Sequence, residues 1–292
     1  MKVAITGAAG LFGRALVQVF GERHAVSPLA HEDLDITRED EVEAVLSKIK
    51  PDVVVHAAAI PNPDVCEENP ARAYAVNVHG TRYVAAAARR AGVRMAIIST
   101  DAVFNGQKTS PYIESDSPAP ETVYGRTKWR AEIITEAANE WWIFRVSVLF
   151  GPGKENFVEK GLRRIAAGEP YVVAADQTGN ATYTIDAARK IREVVEAKRY
   201  GLYHLANDGF CTRLELARRA AELAGLDPGG IRGKPLSQMG RPARRLPYSV
   251  MDSAALERSG FSPLRQWTEA LEEYIREYTG QISARSATTS LS

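Results

Sequence analysis

The first twenty residues limit the fold more than any other stretch. Lys2-Val3-Ala4-Ile5-Thr6 is a short apolar strand that runs directly into Gly7-Ala8-Ala9-Gly10-Leu11-Phe12-Gly13, and an amphipathic helix follows through Arg14-Ala15-Leu16-Val17-Gln18-Val19-Phe20. Glycines let such a turn close and let the backbone approach a diphosphate, while a helix N-terminus offers free N–H groups and the positive end of its dipole. The spacing is Gly-x-x-Gly-x-x-Gly rather than Gly-x-Gly-x-x-Gly, so the strand–turn–helix context carries the inference. Gly7, Gly10, Leu11, Phe12 and Gly13 are thereby candidate dinucleotide contacts.

The alternation that starts here continues. Strands are expected at 3–5, 26–29, 53–56, 95–99 and 142–146, and helices at 13–20, 39–49, 71–91 and 124–139. Such alternation predicts an α/β fold, a Rossmann-type doubly wound parallel sheet with right-handed crossovers. Ligands of such sheets bind at the carboxyl ends of the strands. The Gly7 turn, Ser99-Thr100-Asp101 and the segment after Val146 should therefore converge.

After Phe150-Gly151-Pro152-Gly153 the elements shorten and glycines and prolines scatter. Helices are expected at 157–167, 213–224 and 267–279, a strand at 200–205, and a basic loop at 240–248. The reading is a dinucleotide-binding domain over 1–150 with returning segments near 180–205. A smaller α/β substrate lobe spans 151–281. Residues 282–292, rich in Ser, Thr and Ala, read as a disordered tail.

A chain of 292 residues with 37 basic and 36 acidic side chains, formally +1, can bury a sizeable core. That balance argues against nucleic acid or an acidic membrane surface as partner. Two cysteines, Cys66 and Cys211, without a Cys-x-x-Cys pattern read as reduced thiols, with no disulfide framework and no metal site. No run of about 18 apolar residues and no export signal stand out, so the expectation is a cytoplasmic protein, with a homodimer left open.

Chemistry is carried by Tyr124-Gly125-Arg126-Thr127-Lys128. On a helix, positions i and i+4 share a face, so phenol and ammonium enter the same space. A nearby cation favours phenolate and lowers the tyrosine pKa, which suits proton transfer at a carbonyl or alcohol. Such a pair alone also arises as an ordinary helix face; its coincidence with Ser99-Thr100-Asp101 and the glycine turn makes it a catalytic candidate.

This pair moves a proton and supplies no hydride, so a nicotinamide cofactor is required. NAD specificity usually rests on an acid after the second strand, and here Ala30 stands at that position in Ser27-Pro28-Leu29-Ala30-His31. The expectation is NADPH, with His31 and Arg14 available to a 2′-phosphate. NADH stays open, because Glu32 or Asp33 could serve in a shifted register.

Thr6–Gly13, Leu34-Asp35-Ile36-Thr37, residues 51–59, Asn77-Val78-His79-Gly80-Thr81, residues 99–104, Tyr124–Lys128, residues 176–182 and Tyr248-Ser249-Val250-Met251-Asp252 together resemble the extended short-chain dehydrogenase/reductases. Within them the resemblance is to the dTDP-4-dehydrorhamnose reductase family, and it spans nearly the whole chain. It implies reduction of a 4-keto group on a nucleotide-linked deoxysugar by NAD(P)H. On that resemblance Tyr124 would be the proton donor, Lys128 would tune it and hold the nicotinamide ribose, and Thr100 would bond the carbonyl oxygen. Asp35 and Ile36 would flank the adenine, and Ala57, Ala58 and Ala59 would line the cofactor cleft. Asp101, Val103, Asn156 and Arg245 would contact the substrate. Arg241, Arg244 and Arg245 could grip a diphosphate or equally form a solvated basic loop; among them Arg245 is favoured because it precedes Tyr248-Ser249.

Two departures stand out. The family often has tyrosine where Ala102 stands and tryptophan in the segment holding Val148, both against the sugar. A looser sugar pocket is expected. A 4-epimerase of the same superfamily and an idle NADP-binding regulatory subunit are the alternatives. A dehydratase is disfavoured because no Glu follows Asp101.

Overall fold

The computed structural model describes residues 1–138 and 140–289. Six parallel strands form the central sheet: β1 (Lys2–Thr6), β2 (Ala25–Leu29), β3 (Val53–His56), β4 (Arg94–Thr100), β5 (Trp141–Val146) and β6 (Gly201–Leu205). Their order is β6-β5-β4-β3-β1-β2. Strand period 2 divides the side chains between two cores. Val3, Ile5, Val53, Val55, Ala96 and Ile98 join one, whereas Ala4, Val54, Met95 and Ile97 join the other. Burial on both faces explains why these strands read as continuous apolar runs rather than alternating ones.

Helices Leu11–Gly21 and Thr184–Glu196 cover the first face, and Glu39–Ile49, Thr81–Arg90 and Val123–Glu136 the second. The chain goes outward from β1 to β2 and then returns past β1 to β3. The order therefore reverses between β1 and β3, where a crevice must open at the carboxyl ends. Paired registers end together there: Thr6 opposite His56, and Thr100 opposite Val146.

The helix expected at 71–91 is continuous in path but not in type. Pro70–Tyr74 and Thr81–Arg90 are α-helical, and Ala75–Gly80 between them is a π-helical turn. The hydrophobic pattern carries no mark of that extra residue per turn. The helix expected at 124–139 spans Val123–Glu136, and Asn139 lies outside the described residues.

The second half packs beside the carboxyl edge. Tyr171–Ala174 pairs in parallel with Ile231–Lys234, Thr178–Gly179 antiparallel with Cys211–Thr212, and Leu149–Phe150 in parallel with Thr182–Tyr183. Helices Phe157–Ala166 and Arg213–Leu223 cover these pairs. The last helix runs Trp267–Thr289, past the 279 expected for it. Residues 290–292 lie outside the described residues.

Candidate active site

A cleft of about 1200 Å³ runs along the carboxyl edge of the sheet. That exceeds the usual range for a single small ligand and leaves room for two nucleotide-sized molecules. At one end the turn after β1 meets the segment after β3. Gly7 has φ +68°, and a Cβ there would lie 2.7 Å from Ala58 Cα and N. A Cβ on Gly13 would collide with the Gly7 carbonyl. Helix Leu11–Gly21 begins at Gly10 with no side-chain cap, so its first-turn N–H groups stay available to a ligand. Gly7, Gly10, Leu11, Phe12, Gly13, Ala57, Ala58 and Ala59 all line the cleft. A cradle without side chains at an uncapped helix N-terminus fits a dinucleotide diphosphate.

His56 braces this end from below. Its Nδ1 lies 2.7 Å from Thr6 Oγ1 and its Nε2 3.1 Å from Thr81 Oγ1. Burial pulls its pKa down to about 3, with Lys128 adding to the effect, so it stays neutral.

Further along, Ala30, His31, Asp35 and Ile36 line the cleft. Asp33 does not: its Oδ2 accepts the Ala30 N–H at 2.9 Å. Arg14 is also absent from the lining; its Nε donates to Ala9 O at 3.2 Å and its stem packs under Gly153. Of the basic groups named for a 2′-phosphate, His31 remains. Asp35 holds the Thr37 N–H and Oγ1 at 2.9 and 2.7 Å, which keep its carboxyl below the usual range.

Helix Val123–Glu136 presents the tyrosine and lysine. Thr122 caps it, accepting the Gly125 N–H at 3.0 Å. A Cβ on Gly125 would strike the Ala102 carbonyl, so glycine lets this helix press against the turn after β4. Thr100, Tyr124 and Lys128 consequently line the same cleft.

The expected electrostatics need correction. Burial pushes the Tyr124 phenol up, Thr100 opposes this by hydrogen bonding, and Asp101 and Cys66 push it further up. Lys128 itself is 3% exposed; burial lowers it to about 8, with Glu132 partly restoring it. In the protein alone desolvation sets the direction of the Tyr124 shift. Tyr124 is therefore held firmly protonated, as a proton donor must be.

A buried ion pair backs the helix. Arg145 Nε and Nη2 donate to Glu132 Oε1 and Oε2 at 2.9 and 2.7 Å, and Ser99 also donates to Oε1. Glu132 lies one turn beyond Lys128. Asn77, in the π-helical turn, bonds Ile60 N at 2.8 Å and Thr127 Oγ1 at 3.0 Å. Asn77 belongs to the Asn77–Thr81 motif and Arg145 to the strand expected at 142–146, and neither carried an expected role. A charged residue on a strand buried on both faces was the available signal.

The substrate-side expectations fare unevenly. Asp101, Asn156 and Arg245 line the cleft, and Val103 does not. Val103 is fully buried with Phe104, Tyr112 and Met251. Its position in the three-residue helical turn Asp101–Val103 points it inward. Asn156 is committed to structure: Oδ1 accepts Val158 N–H at 3.0 Å, and Nδ2 donates to Gly151 O and Tyr274 OH, each at 2.9 Å. Both Asp101 carboxylate oxygens are taken by protein hydroxyls. Arg245 is clamped to Asp64. Arg213 was not among the residues expected at the cleft. It lines the cleft with a buried Nη1 that has no hydrogen-bond partner among the described residues. A buried, unpaired guanidinium N–H carries a desolvation penalty that a ligand oxygen would remove. Ala102 and Val148 also line the cleft.

No group of three or more His, Cys, Asp or Glu among the described residues could hold a metal. No helix among them is long and apolar enough to cross a membrane.

The chain is similar to known proteins over nearly its whole length. The model of the RmlD substrate binding domain matches residues 1–280. The dTDP-4-dehydrorhamnose reductase of Streptomyces griseus is 37% identical over 95% of this chain and 94% of its own. The dTDP-4-keto-6-deoxy-D-glucose reductase of Streptomyces niveus is 35% identical over 92% of this chain and 94% of its own. The crystal structure of dTDP-4-dehydrorhamnose reductase from Bacillus anthracis in complex with NADP superposes with a TM-score of 0.91 at 33% identity, covering 94% of this chain and 99% of that one.

Proposed function

We propose, for a chain that belongs to the dTDP-4-dehydrorhamnose reductase family, NADPH-dependent reduction of the 4-keto group of a dTDP-linked deoxysugar. The observation that carries this reading is the shared cleft: Thr100, Tyr124 and Lys128 line the same cavity as the glycine cradle. When bound, the nicotinamide would supply the hydride. Tyr124 donates its proton to the carbonyl oxygen as charge develops there, and Thr100 donates a hydrogen bond to the same atom. Lys128 holds the nicotinamide ribose beneath them. Gly7, Gly10 and Gly13 would hold the cofactor diphosphate, and His31 would be available to an adenosine 2′-phosphate. NADPH is favoured over NADH because Ala30 lines the cleft where an acid would select NAD, and Asp33 is engaged by the backbone.

Arg213 is better suited to an anionic part of the substrate than Arg245, since its Nη1 lacks a partner and Arg245 already has one. The sugar is the finer question. Relatives of nearly equal identity carry names for different 4-keto sugars, and Ala102 and Val148 leave the pocket without its aromatics. We place the enzyme in the cytoplasm, with access to the NADPH pool; sedimentation would decide between monomer and homodimer.

The test is NADPH consumption with a panel of dTDP-4-keto-6-deoxysugars, the rhamnose precursor included. Turnover of at least one member supports the reading. Tight NADPH binding without turnover of any would identify an idle regulatory subunit. Interconversion of nucleotide sugars without net NADPH loss would identify a 4-epimerase.

A further inference from the structure

Asp101 sits at the meeting point of three parts of the chain. Its Oδ1 accepts from Thr100 Oγ1 at 3.0 Å, and its Oδ2 accepts from Ser147 Oγ and from Ser249 Oγ, each at 2.7 Å. Thr100 ends β4, Ser147 follows β5, and Ser249 belongs to the lobe, in a segment bridged to the rest through Thr178–Tyr248 and Tyr112–Met251. Thr100 Oγ1 in turn accepts the Ala102 N–H at 3.1 Å. A threonine hydroxyl has one proton. Here that proton goes to Asp101, and the Ala102 N–H fixes a lone pair. A carboxylate held by two short serine bonds cannot swing to follow Thr100, so it sets where the hydroxyl points.

We propose that Asp101 is a positioning residue for Thr100, and that Ser249 makes this positioning depend on the seating of the substrate lobe. The inference rests on the reading of Thr100 as the second donor to the carbonyl oxygen. Asp101 does not need to touch substrate to act. With Ser249 in place, the carboxylate holds Thr100 Oγ1 beside the Tyr124 phenol. The hydroxyl then needs one proton rotation to meet the carbonyl oxygen. With Ser249 withdrawn, Asp101 keeps Ser147 alone on Oδ2, and the Thr100 rotamer loosens. Arg213 is the charged neighbour that faces this carboxylate from the lobe, so lobe and sheet domain are joined here by charge as well as by hydrogen bonding.

The experiment is a double-mutant cycle with Asp101→Asn and Ser249→Ala, each made in wild type and in Thr100→Ala, and assayed with the accepted 4-keto sugar. In wild type each should lower kcat, by about tenfold for Ser249→Ala and more for Asp101→Asn, with the NADPH Kd unchanged. In Thr100→Ala neither should lower kcat further, because residues acting through one group are not additive. Equal losses in both backgrounds, or a change confined to KM, would overturn the proposal and make Asp101 a direct substrate ligand. A second measurement needs no substrate. Ser249→Ala should speed amide exchange at Ala102, whose N–H Thr100 accepts, by about five- to tenfold, the factor expected for loosening one hydrogen bond. Unchanged exchange would overturn the coupling even if the wild type turned over no sugar. A wild type inactive on the whole panel but with faster Ala102 exchange in the variant would retain the coupling and remove only the proposed reaction.

Discussion

Arg245 grips Asp64 through two parallel bonds, Nη2 to Oδ2 at 2.7 Å and Nη1 to Oδ1 at 2.9 Å. The pair joins the lobe's basic loop to helix Pro63–Glu68 at the cleft. Asp64 Oδ1 also accepts the Ala243 N–H at 3.0 Å, and Arg241 stands 3.6 Å from Oδ2. The neighbouring Arg244 pairs with Glu121. The basic loop thus straps the two halves together while lining the cleft.

Asp64→Asn should loosen that strap. The side chains are 20% and 16% exposed, neither a screened surface pair nor a dry one, and the bonds are charge-assisted. A loss of about 1–3 kcal/mol is expected. Burial raises the Asp64 pKa, but the bonds from Arg245 and Ala243 outweigh it and bring the net value below 3.8. A depressed folded pKa means that this contribution is full above 3.8 and disappears as pH falls through the folded value. Thermal midpoints of wild type and variant should differ at neutral pH and converge in acid; a constant gap would mean the charge of Asp64 is irrelevant.

Tyr124→Phe should lower kcat by about 10²–10⁴-fold, the usual contribution of a general acid, while NADPH still binds. Near wild-type turnover on any accepted sugar would remove the phenol from the mechanism.

Lys128 should leave a signature in stability at high pH. Its pKa falls from 10.5 to about 8 on burial, so between those values the unfolded chain binds more protons than the folded one. Its contribution to stability must then rise with pH across that window. Urea midpoints of wild type, measured relative to Lys128→Met, should climb from about pH 8 upward. A flat difference would place the ammonium in a more solvated position.

Ala30→Asp should move cofactor preference towards NADH, because a carboxylate repels a 2′-phosphate and accepts from a 2′-hydroxyl. Titration of wild type and variant with both cofactors decides this. A wild type that already prefers NADH would shift attention to Glu32 and Asp33.

Sugar discrimination should be loose in wild type and sharper in Val148→Trp or Ala102→Tyr. Weak activity on the rhamnose precursor relative to at least one other 4-keto sugar nucleotide is expected. Refilling the pocket should change kcat/KM ratios across the panel by about 10–200-fold, the scale of small apolar contacts. High and exclusive efficiency of the wild type on the rhamnose precursor would show that other lobe residues replace the rings.

The sequence by itself determined what local pattern determines. Continuous apolar runs made β1, β3 and β4 readable, because a strand buried on both faces needs no alternation. The glycine turn and the Tyr124/Lys128 spacing were legible because each acts through neighbours a few residues away. The tertiary structure decided which polar groups are open to a ligand, since that depends on partners far along the chain. Arg245 looked free until Asp64 was beside it. Asn156 looked like a ligand until its amide proved to cap a helix and bond Tyr274. Arg213 carried no signal at all, because only the folded packing leaves its Nη1 buried and unpaired. The Tyr124 pKa followed the same logic: spacing predicts a nearby cation, but only the three-dimensional surroundings set the desolvation that raises the phenol.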